Sequence, residues 1–335
     1  MKKLFLCAMM GVSIMAFAKT MAVWTSTCGV KHYTTFPDGW TYNQMANAIA
    51  TINEAECGVK PSVSLNLNLK RRAEKAPPFY TNKNMKKIFL FLVLGCVYSF
   101  GQKINFEPTI RVFYDSTLQL GEKYRHDQKF VLIGNSQDYY FAAAQNYLND
   151  TKQYESKGVD TRTISDYFQE RVIRSNNKTT VFTIAIDAKI RYEENTNLKW
   201  VLYGETKIIN GVKCQMAATN KYGRRWIAYF SKEYPQSLGP YKFTGLPGLI
   251  FELYDTRGDY HFTLVKVEKF DDNFEFNINE YKSFSKDKYL KAKYNMEFTI
   301  AGFPGAEEEL RRELQNAFER KKKMHNNPLE LKPFE

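Results

Sequence analysis

Three of the four histidines, His126, His261 and His325, fall in the C-terminal two thirds of the chain. None stands at a metal-ligand spacing such as H-E-x-x-H. No G-x-S-x-G elbow, phosphate loop or dinucleotide fingerprint is present, so the residues imply neither a metal nor a cofactor and give no catalytic set. Carboxylates such as Glu205, Glu233, Glu252 and Asp255 are abundant, but spacing alone does not pair them. Glu252 and Tyr254 would share one strand face, which is open to general acid work and more often means a solvated sheet edge. Cys28 and Cys57 suit a disulfide, whereas Cys214 lies in the alternating run Val212-Lys213-Cys214-Gln215-Met216 and predicts a buried, inert thiol.

Apolar recognition is the chemistry best served by the sequence. The stretch Gly239-Pro240-Tyr241-Lys242-Phe243-Thr244-Gly245-Leu246-Pro247-Gly248-Leu249-Ile250 concentrates aromatic and aliphatic residues in a glycine- and proline-rich loop that feeds into a strand. Leu246-Pro247-Gly248-Leu249 fits a type II turn, with Pro fixing φ at its second position and Gly accepting positive φ at its third. Gly239 and Gly245 permit close backbone approach. Tyr241, Lys242, Phe243, Leu246 and Leu249, with Trp226, are therefore candidate contacts for an apolar small molecule or an envelope protein. A structural corner that fills one end of a core is the competing expectation.

The elements that must position this loop read mainly as strands. Runs at 110–114, 130–133, 139–143, 179–186, 199–206, 212–219, 226–230, 249–254 and 261–267 are rich in aromatic and β-branched residues and are separated by turn signals, notably Asn210-Gly211 and Asp255-Thr256-Arg257-Gly258. The class is mainly β with α additions, as an antiparallel β-meander or half-open barrel-like sheet. Helices are expected at 142–154, 286–293 and 306–323. The last carries Leu310, Leu314 and Phe318 at i, i+4 and i+8, acids in its first turn and bases in its last, and is expected to pack on the sheet.

Two stretches resemble secretory signals. Residues 1–18 have Lys2 and Lys3, an apolar run and Ala16-Phe17-Ala18; residues 85–101 repeat the plan with Lys86, Lys87 and Ser99-Phe100-Gly101. The second apolar run, about 13 residues, falls short of the roughly 20 that a spanning helix needs. No transmembrane helix is expected, although Val93-Leu94-Gly95-Cys96 loosely resembles a lipidation site. The layout reads as two exported products: residues 19–84, a small peptide with a linker tail, and residues 102–335, a β-rich domain. It is the pattern of two neighbouring reading frames joined at Met85.

Within the small peptide, Met45, Ala48, Ile49, Ile52 and Ala55 mark one face of a helix that Thr41 caps and Gly58 stops. Cys28 and Cys57 would staple it, because so short a peptide buries little core. The chain carries a net charge of +12, with ten basic and four acidic residues before Met85. The excess is spread out, its one dense cluster being Arg320–Lys323. Together with export, this argues against a nucleic-acid partner.

Residues 200–270 resemble the GLPGLI family of exported Bacteroidetes proteins, through Gly245–Ile250 and also through Gly211–Ala217, Gly223-Arg224-Arg225-Trp226, Gly239–Phe243 and the ending Asn326-Asn327-Pro328-Leu329-Glu330-Leu331. The resemblance covers nearly all of 85–335 and leaves 1–84 outside. It implies a β-rich fold and export to the periplasm, the outer membrane or the medium, without an activity. Asp115-Ser116-Thr117 fits the short O-glycosylation pattern of the same bacteria. The expectation is a non-enzymatic binding protein; the alternative is an enzyme or accessory factor acting on a small exported peptide such as residues 19–84.

Overall fold

The computed structural model describes residues 20–61, 103–154 and 166–335. Both signal-like stretches, Cys96 and the linker beyond Pro61 lie outside these residues. The described chain is mainly β with α additions. Strands β1 (Thr20–Thr25) and β2 (Lys31–Phe36) form a hairpin ahead of helix α1 (Tyr42–Cys57). Then follow β3 (Lys103–Phe106), β4 (Ile110–Gly121), β5 (Tyr124–Gly134), β6 (Tyr139–Ala143), α2 (Ala144–Asp150), β7 (Arg171–Ser175), β8 (Lys178–Ala185) and β9 (Ala188–Glu194). The remainder comprises β10 (Val201–Ile209), β11 (Val212–Lys221), β12 (Arg224–Ser231), β13 (Leu249–Asp255), β14 (Tyr260–Lys269), β15 (Phe274–Asn277), β16 (Lys282–Ser283), α3 (Lys286–Phe298) and α4 (Glu308–Met324).

One sheet of twelve strands runs in the order β10-β11-β12-β13-β14-β4-β5-β6-β7-β8-β9-β16. It consists of two meanders, β10–β14 and β4–β9, joined where β14 pairs with β4; every pairing is antiparallel except β9 with the short β16. Hairpin turns set the register: Asn210 and Gly211 both hold positive φ (51° and 80°), as a type I′ turn requires.

Period-two alternation splits the sheet between two cores. Phe130, Leu132, Phe141 and Val181 point into a large core that also holds Trp226, Phe243, Phe262 and Tyr289, so the sheet curls around one filling. Their neighbours Val131, Ile133, Tyr140 and Phe182 point the other way, against Phe106, Phe274 and Phe276 of the separate β3–β15 ribbon.

Helix α1 forms as its residues dictate. Thr41 and Gln44 complete a reciprocal capping box, and Gly58 ends the helix at φ 71°. Cys28 and Cys57 are joined, with their Cα atoms 5.5 Å apart. The expected helix at 142–154 is shorter, Ala144–Asp150, because β6 continues to Ala143. Lys60 is not linker: its Nζ donates to the Asp166 carbonyl at 2.7 Å.

The apolar stripe of α4 departs from expectation. Leu310, Leu314, Ala317 and Phe318 do not lie chiefly on the sheet but meet Ile49 and Ile52 of α1, with Phe36, Phe303 and Ile186 completing a third core. Helix α1 is buried along one continuous stretch, Ala46–Glu54, so α4 is the natural cover for it. Charge along α4 runs as predicted, with Glu308 and Glu309 in the first turn and Lys321–Lys323 in the last.

Candidate functional site: a tyrosine-lined cavity between two buried ion clusters

The glycine- and proline-rich loop faces inward. Trp226, Lys242, Phe243 and Leu249 have no exposed surface, and Leu246 and Tyr241 very little. Trp226 and Phe243 pack with ring centroids 4.6 Å apart, and the Trp226 Nε1 donates to the Lys221 carbonyl. The turn at its end is not type II. Gly248 N donates to the Leu246 carbonyl at 2.8 Å, closing a three-residue turn around Pro247, while Leu249 N donates to Tyr234 instead. Gly248 is required by proximity, since a Cβ there would lie 2.1 Å from the Ser231 carbonyl oxygen. Gly239 is equally confined, by Ile250 and the Phe243 carbonyl; Gly245 has open space around it and is needed for its φ of +93°.

Of these residues, Tyr241 borders a cavity of about 350 Å³. Its walls come from the sheet, two helices, the tail and the N-terminal module: Tyr192 of β9, Tyr260 of β14, Tyr289, Leu290 and Lys293 of α3, Lys321 of α4, the tail residues His325, Leu329 and Glu330, and Lys60. The tyrosine hydroxyls are engaged with protein partners. Tyr260 donates to Asn327 O (2.6 Å), Tyr289 to Thr183 Oγ1 (2.6 Å) and Tyr241 to Glu330 Oε1 (2.7 Å), while Tyr192 accepts from Lys242 Nζ (2.7 Å). Ring surface is therefore what these side chains offer a ligand. Lys293 pairs with Glu170 and, at 3.7 Å, with Glu297. Burial opposes its charge, but those carboxylates raise its pKa overall.

A balanced ion cluster adjoins one end. Lys242 Nζ, fully buried, contacts Glu330 Oε1 at 2.6 Å and pairs with Glu194; Lys286 Nζ meets Glu194 Oε2 at 2.7 Å and Glu330 Oε2 at 3.1 Å. Two acids bridge two bases. Burial would raise the Glu330 carboxyl, but Lys242 and Lys286 hold it below its ordinary range. Desolvation raises the Tyr192, Tyr222 and Tyr241 phenols and keeps them neutral.

An unbalanced cluster closes the other end, where α1 meets the β domain. Glu54, 1% exposed, accepts from Tyr124 OH (2.7 Å) and His325 Nε2 (2.8 Å) and pairs with Lys321 Nζ (3.2 Å). Burial pushes the Glu54 carboxyl up, yet Lys321, Lys60 and the His325 hydrogen bond hold it well below the usual range. Burial lowers the His325 imidazole, and Glu54 only partly offsets that.

Sequence reasoning named Tyr241 and Lys242 here and missed Tyr192, Tyr289, Lys293, Glu54 and Lys60. Glu330 belongs to the ending Asn326–Leu331, whose residue types alone suggest no site. The motifs in fact converge: Arg224 holds the C-terminal tail through Leu329 O, Asn327 Oδ1 and Pro328 O while pairing with Asp255 and Asp259 (2.9 and 2.7 Å), and Glu330 then reaches Lys242 and Tyr241. Gly223 is needed because a Cβ would meet Leu331 and Lys332 of the same tail. A motif at each end of the domain thus fastens the tail across the cavity.

The remaining candidates lie elsewhere. Glu252 accepts from His261 at 2.9 Å and pairs with Lys207, on β13 in the interior of the sheet rather than in the cavity or at a sheet edge. Cys214 is buried, which pushes its thiol up to about 11. Ser116 sits buried in mid-strand, its hydroxyl donating to Gln128 O.

No protein-family model matches this chain, and no curated protein does. Among solved structures, PNGF-II in two crystal forms is similar, at 14% identity and a TM-score of 0.42. The match covers 56% of this chain and 34% and 33% of those chains, so it spans about a third of that protein's length.

Proposed function

We propose that this is an exported, non-enzymatic binding protein of the GLPGLI type, whose ligand is a small molecule with an apolar or aromatic body held in the tyrosine-lined cavity. The observation that carries the reading is the cavity itself: about 350 Å³, within the range of small-ligand sites, walled by aromatic faces whose hydroxyls already have protein partners. A ligand there gains stacking and apolar contact without competing for those hydrogen bonds. Charged ligands are disfavoured, because Lys293, Lys321 and Lys60 already face Glu170, Glu297 and Glu54.

Export is supported by the Cys28–Cys57 disulfide, a bond suited to an oxidising compartment. No helix among the described residues is long and apolar enough to cross a membrane. Resemblance to the GLPGLI family is supported by the convergence of its motif residues, Arg224, Lys242 and Glu330, on one tail-fastening cluster.

Ligand-observed NMR with indole, benzoate and benzylamine tests the reading. Indole should bind and the two ions much less; Leu290→Trp, which places a large side chain on the cavity wall, should abolish indole binding while preserving the melting temperature within a few degrees. Failure of all three probes to bind, or indole binding that is indifferent to Leu290→Trp, would overturn the proposal.

A further inference from the structure

The N-terminal module meets the β domain through a surface built like that of a permanent complex. Its hairpin β1–β2 pairs only with itself and adds no strand to the twelve-stranded sheet. Its helix carries its own caps, and its disulfide closes within it. The apolar centre of the contact is Ile49 and Ile52 against Leu310, Leu314 and Phe318.

Polar groups ring that centre. Trp40 Nε1 donates to the Pro304 carbonyl at 2.8 Å; Thr41 Oγ1 and Asn43 Nδ2 donate to the two oxygens of Asp187 at 2.6 and 2.8 Å. At the far side Glu54 enters a pocket of Tyr124, Lys321 and His325 that holds no other carboxylate within hydrogen-bond reach among the described residues. An apolar middle, a polar rim and one deeply desolvated charge anchor make up the anatomy of an obligate interface.

We infer that residues 20–61 and residues 103–335 are two partners, which stay together as a noncovalent one-to-one pair when the stretch between them is cut. Among the described residues no disulfide crosses the contact, since Cys28 pairs with Cys57 and Cys214 is free. The inference accounts for the signal-like residues 85–101 between them: cleavage after such a segment leaves two exported chains, and this surface fits one to the other. It also makes the cavity shared, because Lys60 belongs to the small partner and Tyr192, Tyr241 and Tyr289 to the large one.

The test uses the full chain with a site-specific protease sequence inserted between Lys75 and Ala76. After complete cleavage, native mass spectrometry and size exclusion should show one species containing both fragments. Glu54→Lys places a cation against Lys321 and His325 and should weaken association of the cut fragments about a hundredfold or more. Asp187→Ala, which acts from the β domain at the exposed rim and leaves the module's sequence intact, should weaken it by a few fold. Separation of the wild-type fragments, with the disulfide intact and the large fragment still folded by circular dichroism, overturns the inference. So does a cut pair that Glu54→Lys and Asp187→Ala both leave as tight as before.

Discussion

The two buried ion clusters that flank the cavity solve the same electrostatic problem differently. Around Lys242 two ammonium groups and two carboxylates alternate, all within residues 192–330, and the desolvation of each charge is offset by two opposite neighbours. Around Glu54 a single carboxylate faces Lys321, Lys60 and a histidine, and it comes from a segment outside the sheet. The first cluster fastens the loop and tail of one domain and contains no histidine. The second fastens one unit to another and includes His325. The glycine- and proline-rich loop therefore serves the integrity of the β domain, whereas the surface open to regulation is the one closed by the small module.

Lys242→Ala should give the largest effect. It strands Glu194 and Glu330 with Lys286 alone and empties a fully buried site, so a loss of about 3–5 kcal/mol is expected in urea-induced unfolding of the sheet. A loss under about 1 kcal/mol would show that Lys286 alone sustains the cluster and would remove the distinction between balanced and unbalanced sites. Reducing the disulfide is the matching test on the other side. Closing a loop of 29 residues contributes about 3.5 kcal/mol in the chain-entropy model. That loss should appear as faster hydrogen exchange in α1, with β12 and β13 unchanged.

Acid should separate the clusters next. His325 has a pKa below its unfolded value, so the unfolded state takes up its proton first, and the stability tied to neutral His325 is lost as pH falls below about 6.5. Glu54 has a depressed pKa as well, and its contribution is lost later, as pH falls below the ordinary glutamate value of about 4.3 and through the depressed folded one. Lys321, Lys60, His126 and Tyr124 face the pair, and burial raises the Tyr124 phenol, which stays neutral across this range. Between pH 7 and 5 exchange in α1 should therefore accelerate while β12 stays protected, and His325→Gln should flatten that response. Equal acceleration in both regions would contradict the assignment of the titration to the junction.

Much of the fold was legible because it rests on local rules. Alternation revealed most of the sheet, Asn210-Gly211 its hairpin, and Thr41 with Gly58 the limits of α1. Strands β7 and β9 escaped because Arg171, Arg174, Arg191 and Glu193 interrupt their apolar runs; Arg171 is in fact buried on Asp150 at 2.8 Å. The candidate site was less legible for a physical reason. A cavity is a property of tertiary packing, and Tyr192, Tyr289 and Lys60 are brought together from separations of about a hundred residues or more. The loop signalled burial correctly through its composition, but composition does not distinguish a side chain that faces a ligand from one that faces the core. Glu54 was hidden because a carboxylate on a short helix normally reads as solvated; only its basic neighbours, Lys60 close by and Lys321 and His325 far along the chain, make its burial tolerable.

The smallest predicted effect tests whether the regions unfold as separate units. Gly245 in the loop and Gly39 in the module both hold positive φ, +93° and +82°; a Cβ would meet nothing closer than 3.9 Å at the first and nothing within 4 Å at the second. Replacing either by Ala thus introduces backbone strain with little steric clash, about 1 kcal/mol in each case. The penalties are alike but their destinations differ. Gly245→Ala should lower the melting temperature of the sheet by a few degrees, as followed by near-ultraviolet dichroism of its buried tyrosines. Gly39→Ala should leave that transition in place and raise only the exchange of α1, because its strain is confined to a unit that the sheet does not need. If Gly39→Ala lowers the sheet transition as much as Gly245→Ala does, then module and sheet form one cooperative body, and the contrast between a balanced internal cluster and a separable junction fails.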